Sequence, residues 1–288
     1  RRAGQVHRRR QGRSVQVGDL PLLRNPRIEA NPDAVTGDKI RILHLTDPHL
    51  FARPDGELRG TVTATTLQRV LTHYQNGDWQ AQRAIVTGDI VHDDSDGAYE
   101  RFRDALLPLK MRIHCLPGNH DIRSLMRDVC QRPPFSYCAT EELGNWLIVS
   151  LDSCVTDVAG GSVPAEEMQR LTDAVAGSKA RHVMVCLHHP PVPMGSAWLD
   201  SVGLGNGEDF LRHVKSLERV KLVVFGHVHQ AFDERHEGVR LIATPSTCSQ
   251  FLPGSDEFAV DNRPPAYRRI TLDDEGHCET EVIWVDEE

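Results

Sequence analysis

Short apolar runs alternate along the chain with segments in which apolar residues recur every three or four positions. The short runs are bounded by glycine, proline or polar turn residues and predict buried strands, whereas the periodic segments predict amphipathic helices. The predicted strands span residues 40–46, 84–87, 111–116, 146–151, 182–187 and 222–225, with later strands at 239–243, 266–272 and 280–284. The predicted helices span residues 61–74, 96–107, 122–130, 164–175 and 208–217.

This order of elements predicts the fold class. Strands that alternate with helices indicate an α/β fold, and the cluster of late strands indicates a second, mixed sheet. Residues 1–37 have no periodic apolar pattern and contain Pro21, Pro26 and Pro32. We therefore predict a flexible, arginine-rich N-terminal arm over residues 1–37 and one domain over residues 38–288.

Composition and charge narrow the classes of function. The 288 residues carry a formal net charge of −8, and residues 1–18 hold six arginines and no acidic residue, so the rest of the chain is more acidic than the total suggests. An acidic body is a poor match for a nucleic-acid backbone, so we expect no nucleic-acid partner. No apolar run approaches the roughly 18 residues of a membrane span, so we expect no membrane partner either.

The cysteines and the N-terminus bear on the cellular compartment. Seven scattered cysteines without a Cys-x-x-Cys pair are typical of a reduced protein. The basic N-terminal stretch is not followed by the apolar region of a secretory signal. We therefore expect a cytoplasmic protein.

Polar residues of the metal-ligand type follow five of the predicted strands. They are Asp47 and His49, Asp89, Asn119 and His120, His188 and His189, and His227 and His229. Taken singly, each has a simpler explanation as a turn residue, a helix cap or a partner for backbone groups. In open α/β sheets, however, the carboxyl ends of the strands border the ligand crevice, and all five sets stand at such ends.

The last of these sets has the clearest local geometry. Along a strand, residues i and i+2 point to the same side, so His227 and His229 are expected to present two imidazoles in one direction. Gly226 is expected to allow a sharp turn as the backbone leaves the sheet.

The donor types indicate which ions would bind. Histidines and carboxylates with one amide suit Mn, Fe or Zn, and there are too many imidazoles for an all-oxygen cage. The donors exceed what one ion needs, so two ions are predicted, with the two oxygens of Asp89 shared between them.

These motifs, in this order, resemble the signature of the calcineurin-like metallophosphoesterases. The matching runs are Asp47-x-His49, Gly88-Asp89, Gly118-Asn119-His120-Asp121, His188 and Gly226-His227-Val228-His229. In addition, the runs 49–51, 198–200 and 243–251 are similar to those of class III bacterial 3′,5′-cyclic AMP phosphodiesterases. The resemblance implies a four-layer αββα sandwich of two mixed sheets flanked by helices.

The resemblance also implies roles for the candidate residues. One ion would be held by Asp47, His49, Asp89 and His229, and the other by Asp89, Asn119, His188 and His227. Fe and Mn are the expected pair, with Zn, Co and Mg as alternatives. The expected catalytic residues are Asp89, Asn119 and His120, with His120 as the general acid, and the expected substrate-binding residues are Asn119, His120 and His189.

The implied reaction is hydrolysis of 3′,5′-cyclic AMP to 5′-AMP by attack of a metal-bridging hydroxide, in a monomer or homodimer. Other phosphodiesters, including 2′,3′-cyclic nucleotides, and a catalytically silent binding scaffold are the alternatives. Recognition of the base is the least determined part. Candidate pocket walls are the 51–53 loop, His92, Trp198 and the 247–251 segment.

Overall fold

The computed structural model describes residues 39–287, so the predicted arm at residues 1–37 lies outside the described residues. The strands are β1 Ile40–Leu45, β2 Glu57–Leu58, β3 Thr61–Val62, β4 Arg83–Thr87, β5 Arg112–Leu116, β6 Phe135–Tyr137, β7 Thr140–Leu143, β8 Trp146–Ser150, β9 His182–Cys186, β10 Val220–Phe225, β11 Phe232–His236, β12 Val239–Ala243, β13 Gln250–Phe251, β14 Val260–Asp261, β15 Ala266–Leu272 and β16 Cys278–Trp284. The helices are α1 Thr63–Asn76, α2 Asp96–Leu106, α3 Arg123–Cys130, α4 Ala165–Gly177, α5 Ala197–Asp200 and α6 Gly207–Ser216, and a 3-10 turn follows α2 at Leu107–Leu109.

Two six-stranded mixed sheets form the centre of the fold. The first sheet has the order β16-β15-β1-β4-β5-β6, and the second has the order β11-β12-β10-β9-β8-β7. In each sheet four neighbouring strands run parallel; antiparallel strands β15 and β16 lie on one side of the first sheet, and antiparallel strands β11 and β7 form the two edges of the second. A second mixed sheet is therefore confirmed, but the late strands do not all belong to it: β12 joins the second sheet, whereas β15 and β16 join the first beside β1.

Three separate apolar layers hold the sheets and helices together. One layer lies between the first sheet and helices α1, α2 and α3, and another lies between the second sheet and helices α4 and α6. The third lies between the sheets and includes Ile42, Ile85, Trp146, Met184 and Val224. Three layers between four sets of elements make the αββα sandwich, which confirms the predicted architecture.

The predicted elements are present, with ends that match or shift by at most two residues. Ser95 caps the N-terminus of α2, because its side chain accepts a hydrogen bond from the Ala98 backbone nitrogen. The edge strands β7 and β11 were not predicted. The β11 sequence Phe-Asp-Glu-Arg-His is polar and almost fully exposed, so it carries no apolar signal.

A buried polar cluster joins the two sheets at one edge. Glu141 on β7 accepts hydrogen bonds from Arg83 on β4 at 2.9 Å and interacts with His114 on β5 at 2.8 Å. All three side chains are buried. This cluster satisfies charged groups in the seam between the sheets, where an unpaired charge would be costly.

The carboxyl ends of the central parallel strands meet along one edge of the sandwich. The Gly226 backbone nitrogen, just after β10, bonds to the His188 carbonyl just after β9, and the His188 ring reaches the Thr87 carbonyl at the end of β4. Strands from both sheets therefore end around one point. Within residues 39–287, no helix has the length and apolar character needed to cross a membrane.

Candidate metal centre

All seven residues predicted to bind metal are brought together at this edge. The first sheet contributes Asp47, His49, Asp89 and Asn119 from the ends of β1, β4 and β5. The second sheet contributes His188, His227 and His229 from the ends of β9 and β10. The two sheets therefore both supply side chains to the site.

The seven side chains form two groups of donor atoms. In the first group, His229 Nε2 lies 3.2 Å from His49 Nε2 and 3.4 Å from Asp47 Oδ1. In the second, Asn119 Oδ1 lies 2.9 Å from His227 Nδ1 and 3.2 Å from His188 Nε2. Donors bound at about 2.1 Å to one ion lie roughly 3.0–3.4 Å apart, so each group fits one ion.

Asp89 lies between the two groups. Its Oδ2 atom is 3.7 Å from His49 Nε2 and 3.5 Å from His188 Nε2, so it faces one member of each group. Its Oδ1 atom accepts a hydrogen bond of 2.8 Å from the His120 backbone nitrogen. The carboxylate is thus held in place with one oxygen turned toward both groups.

Two of the histidines are oriented by backbone carbonyls. His229 Nδ1 lies 2.6 Å from the Ser249 carbonyl, and His188 Nδ1 lies 2.7 Å from the Thr87 carbonyl. A carbonyl can only accept, so Nδ1 of each ring carries the proton and Nε2 presents a lone pair to the site. This is the arrangement expected of ligands to Mn, Fe or Zn.

Burial and neighbouring charge shift the pKa values of these groups. Burial lowers the pKa of His49 and of His227 well below the usual value, which favours the neutral form that binds a cation. Burial alone would raise the pKa of Asp89, but the neighbouring His188 lowers it well below the usual value. Burial also lowers the pKa of His188, whereas the Asp89 carboxylate raises it more strongly, to about 9.

Five of the seven candidate ligands have a backbone in the left-handed region. Their φ angles are 52° for Asp47, 46° for His49, 50° for Asp89, 68° for His227 and 48° for His229. Non-glycine residues seldom adopt this conformation, and where they do it often marks a functional site.

The structure corrects the predicted geometry around Gly226. Strand β10 ends at Phe225, so His227 and His229 lie in a turn, and left-handed backbone rather than strand alternation points both rings into the site. A side chain at Gly226 would overlap the Thr46 hydroxyl and approach Asp47 Oδ2 to 2.9 Å. The chain turns directly after Gly226, as predicted, and the glycine is required in addition for the close approach of β10 to β1.

His120 stands at the open side of the site. Its side chain is exposed, and its ring centre lies 5.0 Å from that of His49 and 4.8 Å from that of His92. It is absent from both donor groups and lies beside them, facing solvent.

His189 is held by contacts within the protein. The side chain is fully buried, with Nδ1 2.8 Å from Ser153 Oγ and Nε2 3.2 Å from the Ala159 carbonyl. These contacts support the 153–159 loop, and the predicted contact of His189 with a substrate stays a prediction.

Sequence reasoning missed the supporting role of Asp121. Its carboxylate accepts hydrogen bonds from the backbone nitrogens of Ile90 and Gly118 and from the Tyr99 hydroxyl, which ties together the loops that carry Asp89 and Asn119. Burial and the nearby Asp89 raise the pKa of Asp121 to about 7. The position of Asp121 at the end of the Gly-Asn-His-Asp run was the one feature of the sequence that could have indicated this role.

The candidate pocket walls also border the site. The Phe51 ring lies 5.3 Å from that of His92, and the Phe251 ring stacks on His229 at 4.1 Å and 7°. Trp198 packs edge-on against Phe251 at 5.1 Å.

Comparisons with known proteins agree with this geometry. The family model described as calcineurin-like phosphoesterase matches residues 40–231. A protein of Vibrio vulnificus named 3′,5′-cyclic adenosine monophosphate phosphodiesterase CpdA is 37% identical over 251 residues, covering 87% of this chain and 92% of that protein. The protein of the same name from Escherichia coli K12 is 34% identical over 245 residues, covering 85% of this chain and 89% of that protein.

Solved structures agree on the fold. A dimetal phosphatase from Danio rerio superposes with a TM-score of 0.59 at 17% sequence identity, covering 86% of this chain and 99% of the other. At this level of identity the likeness concerns the fold alone.

Proposed function

Because this chain belongs to the calcineurin-like phosphoesterase family, we propose that it hydrolyses 3′,5′-cyclic AMP to 5′-AMP with two bound metal ions. The family is hydrolytic, and relatives that match most of the chain are named as phosphodiesterases of this nucleotide. The observation that carries the proposal is the pair of donor groups with Asp89 between them.

Each donor group would hold one ion, and Asp89 would be shared. The first set of ligands is Asp47, His49, Asp89 and His229, and the second is Asp89, Asn119, His188 and His227. When bound, the ions would acidify the attacking water and neutralise charge on the phosphate oxygens. Mixed imidazole and carboxylate donors favour Fe and Mn, with Zn, Co and Mg as alternatives.

The remaining residues would bind the substrate and move a proton. The exposed ring of His120 would protonate the departing 3′ oxygen, whose alkoxide is too basic to leave unaided. Asn119 turns its carbonyl oxygen to the second donor group, which leaves its amide nitrogen free to donate to the phosphate. His189 would support the loop beneath the site.

The compartment and the partners follow from the same proposal. The substrate is a cyclic nucleotide, and none of the seven cysteines, all within residues 39–287, is disulfide-bonded. Free thiols favour a reducing compartment, and we place the enzyme in the cytoplasm.

Metal analysis together with product identification tests the proposal. We expect about two ions per chain in protein purified with Fe and Mn, and loss of both in Asp89→Asn, because one carboxylate serves both groups. With added Mn, 3′,5′-cyclic AMP should yield 5′-AMP on chromatography, faster than 2′,3′-cyclic AMP or a phosphomonoester. Full metal content in Asp89→Asn would overturn the shared-ligand assignment, and no hydrolysis of 3′,5′-cyclic AMP would overturn the substrate.

A further inference from the structure

A compact group of aromatic rings and one arginine lies beside the metal centre. This aromatic rim consists of Arg59 between β2 and β3, Trp198 on α5, Phe251 on β13 and Phe258 just before β14. The Trp198 ring contacts Phe251 at 5.1 Å and Phe258 at 5.2 Å, and the Phe251 and Phe258 rings are 5.4 Å apart. No residue of the proposed mechanism belongs to it.

The aromatic rim is joined directly to a candidate metal ligand. Phe251 stacks on the His229 ring at 4.1 Å, and its backbone nitrogen donates to the His229 carbonyl at 3.3 Å. Phe258 is one ring further out, so the rim leads from the donor groups to the surface. A ligand with a reactive phosphate at the metals could place its far end here.

Arg59 is held on the rim without a carboxylate partner. Its guanidinium carbon lies 4.4 Å over the Phe258 ring and 5.4 Å over the Phe251 ring. Within residues 39–287, no acidic oxygen lies in ion-pair distance of its guanidinium. Burial of the side chain lowers its pKa from the usual value. The Arg59 guanidinium lies on an aromatic ring, and within residues 39–287 its N–H groups have no hydrogen-bond acceptor. These N–H groups are available to a ligand.

Phe258 is exposed although the segment that carries it is fixed. The side chain is 46% exposed, which is unusual for a phenylalanine in a folded domain. The segment is fastened by hydrogen bonds from the Trp198 nitrogen to the Asp256 carbonyl and from the Leu252 nitrogen to the Ala259 carbonyl. The ring is therefore presented to solvent in a defined place, as a binding surface requires.

We propose that the Arg59–Phe258 pair binds the purine base of the cyclic nucleotide and sets the preference for nucleotide over other phosphodiesters. This inference rests on the proposed function. Bases stack on aromatic rings and on guanidinium planes, and the acceptor nitrogens of a purine can receive hydrogen bonds from arginine. The pair offers both kinds of contact, whereas a base-free phosphodiester would use neither.

Steady-state kinetics of Phe258→Ala and Arg59→Ala on two substrates tests the proposal. One substrate is 3′,5′-cyclic AMP and the other is methyl ribofuranoside 3′,5′-cyclic phosphate, which has the same reacting phosphate and no base. We expect each variant to raise KM for cyclic AMP about tenfold with kcat within about twofold, and to leave kcat/KM for the base-free diester within about twofold. Phe258→Trp, which keeps an aromatic face, should retain most of the affinity.

Leu252→Ala is the matched control, because Leu252 lies on the same hairpin and is 43% exposed but has no ring. It should leave both substrates unaffected. Equal losses on both substrates in Phe258→Ala, or no loss on either, would overturn the base-binding assignment while wild-type hydrolysis of cyclic AMP still supports the proposed function. Wild-type protein that hydrolyses the base-free diester and not cyclic AMP would overturn both.

Discussion

At the scale of single residues, the candidate metal centre depends on backbone conformations that non-glycine residues seldom adopt. Asp47 and His49 both have positive φ, as does Asp89. Left-handed non-glycine residues cost on the order of 1–3 kcal/mol each, so neighbouring contacts must hold them. The Asp47 and His49 nitrogens donate to the carbonyls of Gly88 and Asp89, which fixes the two loops to each other. In this conformation, side chains from separate strand ends turn toward one point.

A prediction at this scale concerns His120. In His120→Ala, we expect kcat for cyclic AMP to fall by about 10²–10³-fold, because the 3′ alkoxide then leaves without a proton. With bis(p-nitrophenyl) phosphate the fall should be less than about tenfold, because p-nitrophenolate leaves unprotonated. Metal content should be unchanged. Equal losses on the two substrates would remove His120 from the general-acid role.

At the scale of elements, the decisive feature is the contact between the ends of β1 and β10. These strands belong to different sheets, and Gly226 allows their ends to approach, because any side chain there would meet Thr46 and Asp47. The His227 nitrogen then donates to the Asp47 carboxylate at 3.0 Å. The backbone that follows β10 thus orients the side chain of Asp47, which follows β1 in the other sheet.

The corresponding prediction is the effect of Gly226→Ala. The added methyl group forces the two strand ends apart, so we expect a loss of roughly 1–3 kcal/mol in stability and a larger relative loss of bound metal. Thermal unfolding and elemental analysis measure the two effects. Gly177→Ala at the end of α4, where a methyl group meets no atom within 4 Å, is the matched control. Unchanged metal content in Gly226→Ala would contradict the close-packing explanation.

At the scale of the whole molecule, the two sheets are held together by an apolar seam and by the charged cluster of Arg83, His114 and Glu141. Burial alone would raise the pKa of Glu141, but hydrogen bonds from His114 and Arg83 lower it from 4.5 to about 2. A group whose pKa is lowered by folding stabilises the protein above its unfolded pKa. This contribution is lost as the pH falls from about 4.5 toward 2.

We therefore expect Glu141→Gln to lower stability by about 3 kcal/mol at pH 7, and the difference from wild type to shrink between pH 4.5 and 3. Denaturant unfolding at pH 7, 5, 4 and 3 measures it. Glu279→Gln, which removes the exposed partner of Lys39, should change stability by less than about 0.5 kcal/mol at every pH. A difference for Glu141→Gln that stays constant down to pH 3 would show that the carboxylate does not contribute through its charge.

The sequence predicts the features of the fold and of the site that depend on local patterns, and it does not predict contacts between residues that are far apart in the chain. Apolar runs predict the central strands, and the residues that follow them predict the donor sets, because parallel strand ends meet by topology. The edge strand β11 and the two-residue strands β13 and β14 have no periodicity to detect. The pairing of Arg59 with Phe258 and of Arg83 with Glu141 also escapes prediction, since each joins residues that only the packed sheets bring together.

The division of the donors between the two sheets has a consequence for how the protein is made. A ribosome releases Asp47, Asp89 and Asn119 long before His227 and His229, and neither donor group contains all its members until those last histidines have emerged. Strand β1 must likewise wait for β15, its antiparallel neighbour from near the end of the chain. A complete set of donors in either group is therefore available only late in biosynthesis, once the histidines of the second sheet have joined the side chains of the first.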